Sequence, residues 1–100
     1  MTIAQIKQQV ETDSYFFSQH GDNERINDNL TIFEVEEALL NGQILEDYKD
    51  NKRGESCLVV GFTKSGKPIH IVCGIQNESL VIITVYIPTP PKFKNPYERG

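Results

Sequence analysis

Ser56-Cys-Leu-Val-Val-Gly-Phe-Thr63 is the first of three apolar runs that follow one another in the second half of the chain. The other two are Lys67-Pro-Ile-His-Ile-Val-Cys-Gly-Ile75 and Leu80-Val-Ile-Ile-Thr-Val-Tyr-Ile87. Between them lie Ser65-Gly66 and Asn77-Glu78, short polar linkers of the kind that close antiparallel hairpins. The three runs therefore predict an antiparallel β-meander, around which the rest of the fold must be arranged.

The first hairpin takes its register from a two-residue loop at Ser65-Gly66. Its helix-facing side is then expected to pair Phe62 with Ile69, Val60 with Ile71 and Leu58 with Cys73. The opposite side is expected to carry Val59, Gly61, Thr63, His70 and Val72. In this register Gly61 lies directly across from His70 and leaves room beside its ring.

The second hairpin allows two registers. A two-residue loop places Val85 opposite His70 and sends Tyr86 to the helix-packed face, whereas a bulge or a three-residue loop places Tyr86 beside His70. In either register the last strand is apolar on both faces, so its second face needs a cover. The candidates are the C-terminal tail (residues 88–100), a partner protein, or a second copy of the chain. A homodimer through Leu80–Ile87 is the expectation.

The N-terminal segment predicts a first helix. Thr2 and Gln5 match the capping-box pattern, and apolar residues then recur at helical spacing, which predicts a helix from about Ile3 to Asp13. Residues 15–17 are three consecutive aromatics that are expected to be mostly buried. Ser18 follows them as a candidate cap for whatever element begins at the next residue.

A second helix is predicted by the capping box of Thr31 and Glu34. Its broad apolar face is expected to pack on the sheet and consists of Ile32, Phe33, Val35, Ala38, Leu39 and Leu40. Asn41-Gly42 is expected to end it as a left-handed cap. Residues 43–48 then predict a short strand that leads into a polar turn at residues 49–55. The predicted fold is therefore α+β, with two N-terminal helices on one face of an antiparallel sheet of about four strands.

The composition describes a single domain of 100 residues, with 38% hydrophobic and 24% charged side chains. Prolines at residues 88, 90 and 91 stop the sheet, and Phe93, Pro96 and Tyr97 suggest that the tail folds back onto the body. No run is long enough to span a bilayer, and the first residues lack a signal-peptide pattern, so a cytoplasmic protein with no membrane partner is expected. Cys57 and Cys73 are accordingly expected to be reduced thiols.

The net charge of −4 has the wrong sign for long-range attraction to nucleic acid. Local basic patches remain compatible with it, and the chain carries two groups of basic residues near the strand turns and in the tail. They are Lys49, Lys52, Arg53, Lys64 and Lys67, followed by Lys92, Lys94 and Arg99.

Two histidines, His20 and His70, can titrate near neutral pH without help. Either could act as an acid or base in proton transfer, or could be a structural histidine held by a backbone carbonyl. Tyr86 is either a rim aromatic or a site residue, and Arg25 is either a surface charge or an anion ligand. The chain has no zinc-binding spacing, no nucleophile elbow and no phosphate loop, so neither a metal nor a cofactor is expected.

The order of several short motifs resembles a bacterial family, domain of unknown function 4258. They are Phe17-Ser-Gln-His20, Asp28-Asn-Leu-Thr-Ile32, Ala38-Leu-Leu-Asn-Gly42, Gly66-Lys-Pro-Ile-His70-Ile-Val and Ile83-Thr-Val-Tyr86-Ile-Pro88. The chain departs from the family pattern at Glu24 and Asp28, where basic residues are common. The resemblance implies a distant similarity to the RelE/ParE-type toxin superfamily, and thus a RelE-like helical layer on an antiparallel sheet.

If that similarity holds, the site residues are His20, Arg25, His70 and Tyr86. A histidine would act as base toward a ribose 2′-hydroxyl, Arg25 would stabilise the phosphate, and Tyr86 would stack or donate a proton. The implied function is a toxin-like domain that cleaves RNA without a metal or interferes with translation, with an antitoxin, RNA or the ribosome as partners. The alternative is a non-catalytic protein–protein interaction module that uses its exposed strand face.

Overall fold

The computed structural model describes residues 1–49 and 54–100, which form three helices, a five-stranded sheet and a small C-terminal hairpin. The helices are α1 (Ile3–Glu11), α2 (Gln19–Asn27) and α3 (Ile32–Leu40). Both predicted capping boxes are present: Thr2 with Gln5 opens α1, and Thr31 with Glu34 opens α3. None of these helices is long and apolar enough to cross a membrane.

The central sheet is mixed, and its strands lie in the order β1-β5-β4-β3-β2. The strands are β1 (Tyr15–Phe17), β2 (Gln43–Tyr48), β3 (Ser56–Phe62), β4 (Pro68–Gln76) and β5 (Ser79–Tyr86). The edge strand β1 runs parallel to β5, and the other neighbours are antiparallel. A separate two-stranded sheet in the tail consists of β6 (Phe93–Asn95) and β7 (Glu98–Arg99). The predicted α+β class is thus confirmed, whereas the prediction of two helices on four antiparallel strands is wrong in detail.

The missing elements in that prediction are α2 and β1. The sequence of α2 contains one large apolar residue, Ile26, so it has no hydrophobic periodicity to detect. Its N-cap is Ser18, as the sequence suggests, and the Ser18 hydroxyl accepts a hydrogen bond from Gly21 N at 2.9 Å. The three residues of β1 alternate across the sheet edge, which leaves Phe16 exposed instead of buried.

The predicted register of the first hairpin is wrong by one residue because its loop has three residues, not two. Thr63 pairs with Lys67 through an N–H···O bond of 3.0 Å, and Gly66 at the third loop position has a φ of +87°. A type I turn followed by a left-handed residue is the usual three-residue hairpin loop. The shift places Val60 opposite His70 and turns the other face of β3 toward the helices.

This register explains a glycine on the helix-packed face of β3. Cys57, Val59 and Gly61 now face the helices, and a Cβ on Gly61 would overlap the Ala38 carbonyl group of α3. Absence of a side chain therefore allows α3 to lie directly on the strand. On the other face, the side chains of Leu58 and Val60 are also buried.

The second hairpin has both the two-residue loop and the bulge that the sequence offers as alternatives. Asn77 and Glu78 form a two-residue loop in which both have positive φ, as a type I′ turn requires. A bulge in β5 beside Val72 and Cys73 then shifts the register, so that Tyr86 pairs with His70. Both side chains consequently share the face of the sheet opposite the helices.

The apolar face predicted for α3 is narrower than expected. Val35, Ala38 and Leu39 are fully buried in the core, but Ile32, Phe33 and Leu40 are exposed. The left-handed cap at Asn41-Gly42 is also wrong, since Asn41 has a φ of −107°. Its side-chain amide instead bonds the Phe62 backbone, donating to the carbonyl at 2.7 Å and accepting from the amide at 3.1 Å. Asn41 therefore anchors the end of α3 to β3.

Strand β5, proposed as a dimer interface, has Leu80, Val81, Ile82 and Val85 buried within a single chain. The homodimer through Leu80–Ile87 stays a prediction. Of the predicted turn at residues 49–55, residues 50–53 lie outside the described part of the chain, and Lys52 and Arg53 with them.

Candidate functional site

His70 and Tyr86 lie side by side on the sheet face opposite the helices. His70 is fully buried, and its Nδ1 atom is 3.1 Å from the Tyr86 hydroxyl oxygen. Their ring planes meet at 61° with centroids 5.2 Å apart. The pair depends on the β5 bulge, without which Val85 would lie in the place of Tyr86. Two of the four predicted site residues are therefore adjacent.

The tail (residues 88–100) closes over this pair. The Phe93 ring stands edge-on to the His70 ring, with centroids 4.4 Å apart and planes at 86°. On the far side of the imidazole, the Pro96 carbonyl oxygen is 2.7 Å from Nε2. Both ring nitrogens of His70 are thus engaged inside the protein.

The hydrogen bonds fix the tautomer of the neutral His70 ring. A carbonyl oxygen only accepts, so Nε2 carries the proton and donates to Pro96, while Nδ1 accepts from the Tyr86 hydroxyl. Burial lowers the pKa of His70 below its ordinary value, chiefly because a charged imidazolium would lose its hydration. Burial likewise raises the pKa of Tyr86. The site therefore holds a neutral histidine and a neutral tyrosine.

This state predicts that stability falls in mild acid. An unfolded histidine titrates near 6.5, whereas folded His70 titrates lower, so between the two values the unfolded chain binds a proton that the folded chain does not. The contribution of His70 is therefore fully present above 6.5 and is lost as the pH falls through the folded pKa. Urea midpoints measured from neutral pH down to about pH 5 should fall more for the wild type than for His70→Gln.

His20→Ala is the control, and it should keep the acid-induced loss because His20 lies outside the buried site. An equal loss of stability in His70→Gln and the wild type would contradict this assignment.

An ion pair fastens the end of the tail beside the histidine. Arg99 donates two hydrogen bonds to the Glu46 carboxylate of β2, at 2.7 and 2.8 Å, and the Tyr48 hydroxyl donates to the same carboxylate. The Arg99 guanidinium, followed by Tyr48, lowers the pKa of Glu46 to about 2. Burial, followed by the Glu46 carboxylate, raises the pKa of Tyr48 to about 12. The guanidinium also lies 4.8 Å from the Phe93 ring centre.

His20 and Arg25 lie on α2, apart from the buried pair. The His20 side chain is 68% exposed and its Nε2 is 3.2 Å from Glu24 Oε1. The Arg25 guanidinium is engaged in hydrogen bonds within the protein. It donates to Asp22 Oδ1 at 2.7 and 2.9 Å and to the Leu30 carbonyl at 2.9 Å. These bonds tie α2 to the start of α3. The geometry thus gives Arg25 a structural role and leaves His20 open to solvent.

Two carboxylates, one in α2 and one at its C-cap, cover the part of the β5 edge that β1 does not reach. Glu24 accepts a hydrogen bond from Val85 N at 3.1 Å, and Asp28 accepts one from Ile87 N at 3.3 Å. Spaced four residues apart, the two side chains lie on the same face of the helix. Glu24 and Asp28 therefore bind the exposed part of the sheet edge.

Most described members of the predicted basic groups have partners. Lys67 pairs with Glu34 at 3.2 Å, Lys94 with Glu98 at 3.1 Å, and Arg99 with Glu46. Lys64 and Lys92 lie over the Phe33 and Tyr86 rings. These contacts neutralise or shield the charges that a phosphate clamp would use.

Other reactive groups lie away from this cluster. Cys57 and Cys73 are free, buried and opposite one another on neighbouring strands, and burial raises the pKa of Cys57 to about 11. Thiols of this kind are poor nucleophiles. Among residues 1–49 and 54–100, no three metal-binding side chains come together. A cavity of about 400 Å³ between α1 and the β4–β5 hairpin is lined by Gln5, Gln9 and Glu78 among others.

Several residues around His70 are absent from the predicted site, namely Glu46, Tyr48, Phe93 and Arg99. The signal for Phe93 was present, because an aromatic residue after a proline-rich stop indicates a tail that returns to the body. Nothing in the local pattern of β2 distinguishes Glu46 from an ordinary solvated strand residue.

Comparison with known proteins gives one positive result. A model of the family described as Domain of unknown function (DUF4258) matches residues 17–87. The matched span begins in β1 and ends just after β5, so it contains the four predicted site residues but neither α1 nor the tail. No curated protein and no solved structure matches the chain significantly.

Proposed function

We propose that this chain, which belongs to the DUF4258 family, is a non-catalytic protein-interaction module that binds a partner through the outer face of α3. The observation that supports this most directly is the state of His70. Both ring nitrogens of the better-placed candidate base are hydrogen-bonded under the tail, and no solvent reaches the ring. A general base needs an open lone pair within reach of its substrate.

The outer face of α3 presents apolar side chains to solvent. Phe33 is 61% exposed and Leu40 41% exposed, and a spacing of seven residues places them on the same side of the helix. That side is opposite Val35, Ala38 and Leu39, which face the core. Phe33 and Leu40 therefore contribute little to the core, and a partner that displaces Lys64, whose Nζ lies 6.0 Å from the centre of the Phe33 ring, can contact both.

The charge around these residues indicates the chemistry of that partner. Glu36 and Glu37 lie between Phe33 and Leu40 on the same helix, and both are partly exposed. Glu36 Oε2 accepts a hydrogen bond from the Tyr15 hydroxyl at 2.6 Å and Glu37 Oε2 is buried, while the chain as a whole carries a charge of −4. A partner segment that offers apolar side chains flanked by lysine or arginine would match both the apolar residues and the carboxylates. A basic amphipathic helix is the simplest segment of this kind.

The test uses a synthetic helical peptide with a leucine stripe and lysines on its other face. We expect Phe33→Ala combined with Leu40→Ala to weaken its binding about tenfold or more, since truncating buried aromatic anchors typically costs over 1 kcal/mol. The control is Phe16→Ala, which removes another exposed ring, 49% accessible, from β1 without changing charge. Equal binding by all three proteins would show that the peptide recognises net charge alone and would overturn the assignment of this face.

The ribonuclease hypothesis remains as a second candidate because His70 and Tyr86 are adjacent, as an acid–base pair would require. For His70 and Tyr86 to act on RNA, the tail would have to move away from them. The expected result of this hypothesis is growth arrest on expression of the full chain in bacteria, with cleavage of messenger RNA on ribosomes that is lost in His70→Ala and in Tyr86→Phe. Such cleavage would contradict the interaction module.

A further inference from the structure

We propose that the tail exchanges between two copies of this chain, so that the groove under it is a binding site for the tail of a second molecule. The groove is formed by side chains of four strands of the central sheet, namely Glu46, Phe62, His70 and Tyr86. The occupant to which the proposal commits is residues 88–100 of another copy. This interface differs from a dimer through β5.

The tail is attached to the body as a separate unit. Strands β6 and β7 pair with each other and not with the central sheet. Contact with the body runs through a small set of groups: the Phe93 ring on His70, the Pro96 carbonyl on Nε2, Tyr97 against Phe62 and Arg99 on Glu46. The same contacts form equally well when the hairpin belongs to another molecule.

The connection between body and tail suits an open arrangement. Residues 87–92 belong to no strand, and three of them are prolines at positions 88, 90 and 91. Residues 90–92 form a turn, and Phe93 N donates a hydrogen bond of 3.1 Å to the Thr89 carbonyl across it. The turn and the hairpin are therefore bonded to each other and can leave the sheet as one unit. Because the family match ends at residue 87, the hairpin also lies beyond the part of the chain that the family shares.

A molecule whose tail has left the groove would be stabilised by the tail of a second copy. The tail covers His70 through the Phe93 ring and the Pro96 carbonyl, and His70 is fully buried in the closed form. Exposure of that face to water is unfavourable, and a second copy supplies a segment with matching shape and charge. The closed monomer and the exchanged dimer make the same contacts, so protein concentration decides between them.

Charge reversal across the Glu46–Arg99 pair tests this directly. Glu46→Arg alone and Arg99→Glu alone each place like charges at the tail contact, in the closed monomer and in their own exchanged dimers. In a mixed dimer both contacts regain opposite charges. We expect native mass spectrometry of the two variants, mixed at millimolar concentration, to show mixed dimers well above the random proportion.

The matched control reverses Lys94 and Glu98, a pair 3.1 Å apart that lies wholly within the tail. Lys94→Glu mixed with Glu98→Lys should give no preference for mixed dimers, because exchange leaves that pair within one chain. Mixtures of the Glu46 and Arg99 variants that stay monomeric, or that form mixed dimers only in random proportion, would overturn the proposal.

A double variant distinguishes the effect of charge at the tail contact from loss of folding caused by the single substitutions. The double variant Glu46→Arg/Arg99→Glu has opposite charges within one chain and should fold as the wild type does by circular dichroism. Mixed with the wild type at the same concentration, it should form dimers with itself but almost none with the wild type. Free mixing of the two proteins would refute exchange of the tail.

Discussion

Replacement of Phe93 by alanine is expected to lower the free energy of unfolding by about 3–5 kcal/mol, the usual range for removing a buried phenylalanine ring. The ring is 1% exposed and lies between the His70 imidazole, 4.4 Å away, and the Arg99 guanidinium, 4.8 Å away. Its removal leaves a cavity over His70 that the short hairpin cannot collapse to fill. Urea denaturation monitored by circular dichroism measures the change.

Phe33→Ala is the control for this experiment, because the same atoms are removed from a ring that is 61% exposed. We expect it to change the free energy of unfolding by less than about 1 kcal/mol. Equal, small effects of the two substitutions would show that the tail does not pack on the sheet face as described.

Leu39→Ala is expected to lower the free energy of unfolding by about 2–4 kcal/mol through the cavity it leaves in the core. Leu39 is fully buried on the side of α3 that packs on β3 and β4. The next residue supplies the control: Leu40 has the same side chain, points to solvent and should tolerate alanine with little loss. A similar midpoint for Leu39→Ala and the wild type would place α3 elsewhere on the sheet.

The parts of the fold that could be predicted are those with strong local signals. The capping boxes at Thr2 and Thr31 located the start of α1 and α3, and the segment 43–48 was recognised as a strand. Apolar runs bounded by turn residues similarly located β3, β4 and β5. In these segments the hydrophobic pattern and the turn chemistry favour the same structure.

The register of the strands could not be predicted because it depends on loop length and on bulges, which the hydrophobic pattern does not specify. One extra residue in the loop at Gly66 exchanged the two faces of β3, and one bulged residue in β5 moved Tyr86 to the side of His70. Side chains alternate at every residue of a strand, so a single insertion reverses all of them. The sequence analysis could only leave both registers of the second hairpin open.

The candidate site was predictable in part. His70 and Tyr86 stand out in the sequence as unusual strand residues, and they are adjacent in the structure. The groups around them come from distant positions in the chain, such as Glu46 and Pro96. His20 and Arg25 were grouped with them through a family resemblance, whereas α2 places them on another element. Proximity of residues far apart in the chain requires the tertiary structure.

The carboxylates of Glu24 and Asp28 have a consequence for solubility. Amyloid-like aggregates grow when a chain adds a strand to an unpaired sheet edge, and the apolar sequence of β5 would be a good template for such growth. The backbone amides of Val85 and Ile87 are occupied by these two side chains, so this edge cannot recruit another strand unless α2 is displaced. Lysine or arginine at positions 24 and 28 could not accept these hydrogen bonds and would leave the edge of the last strand open to such growth.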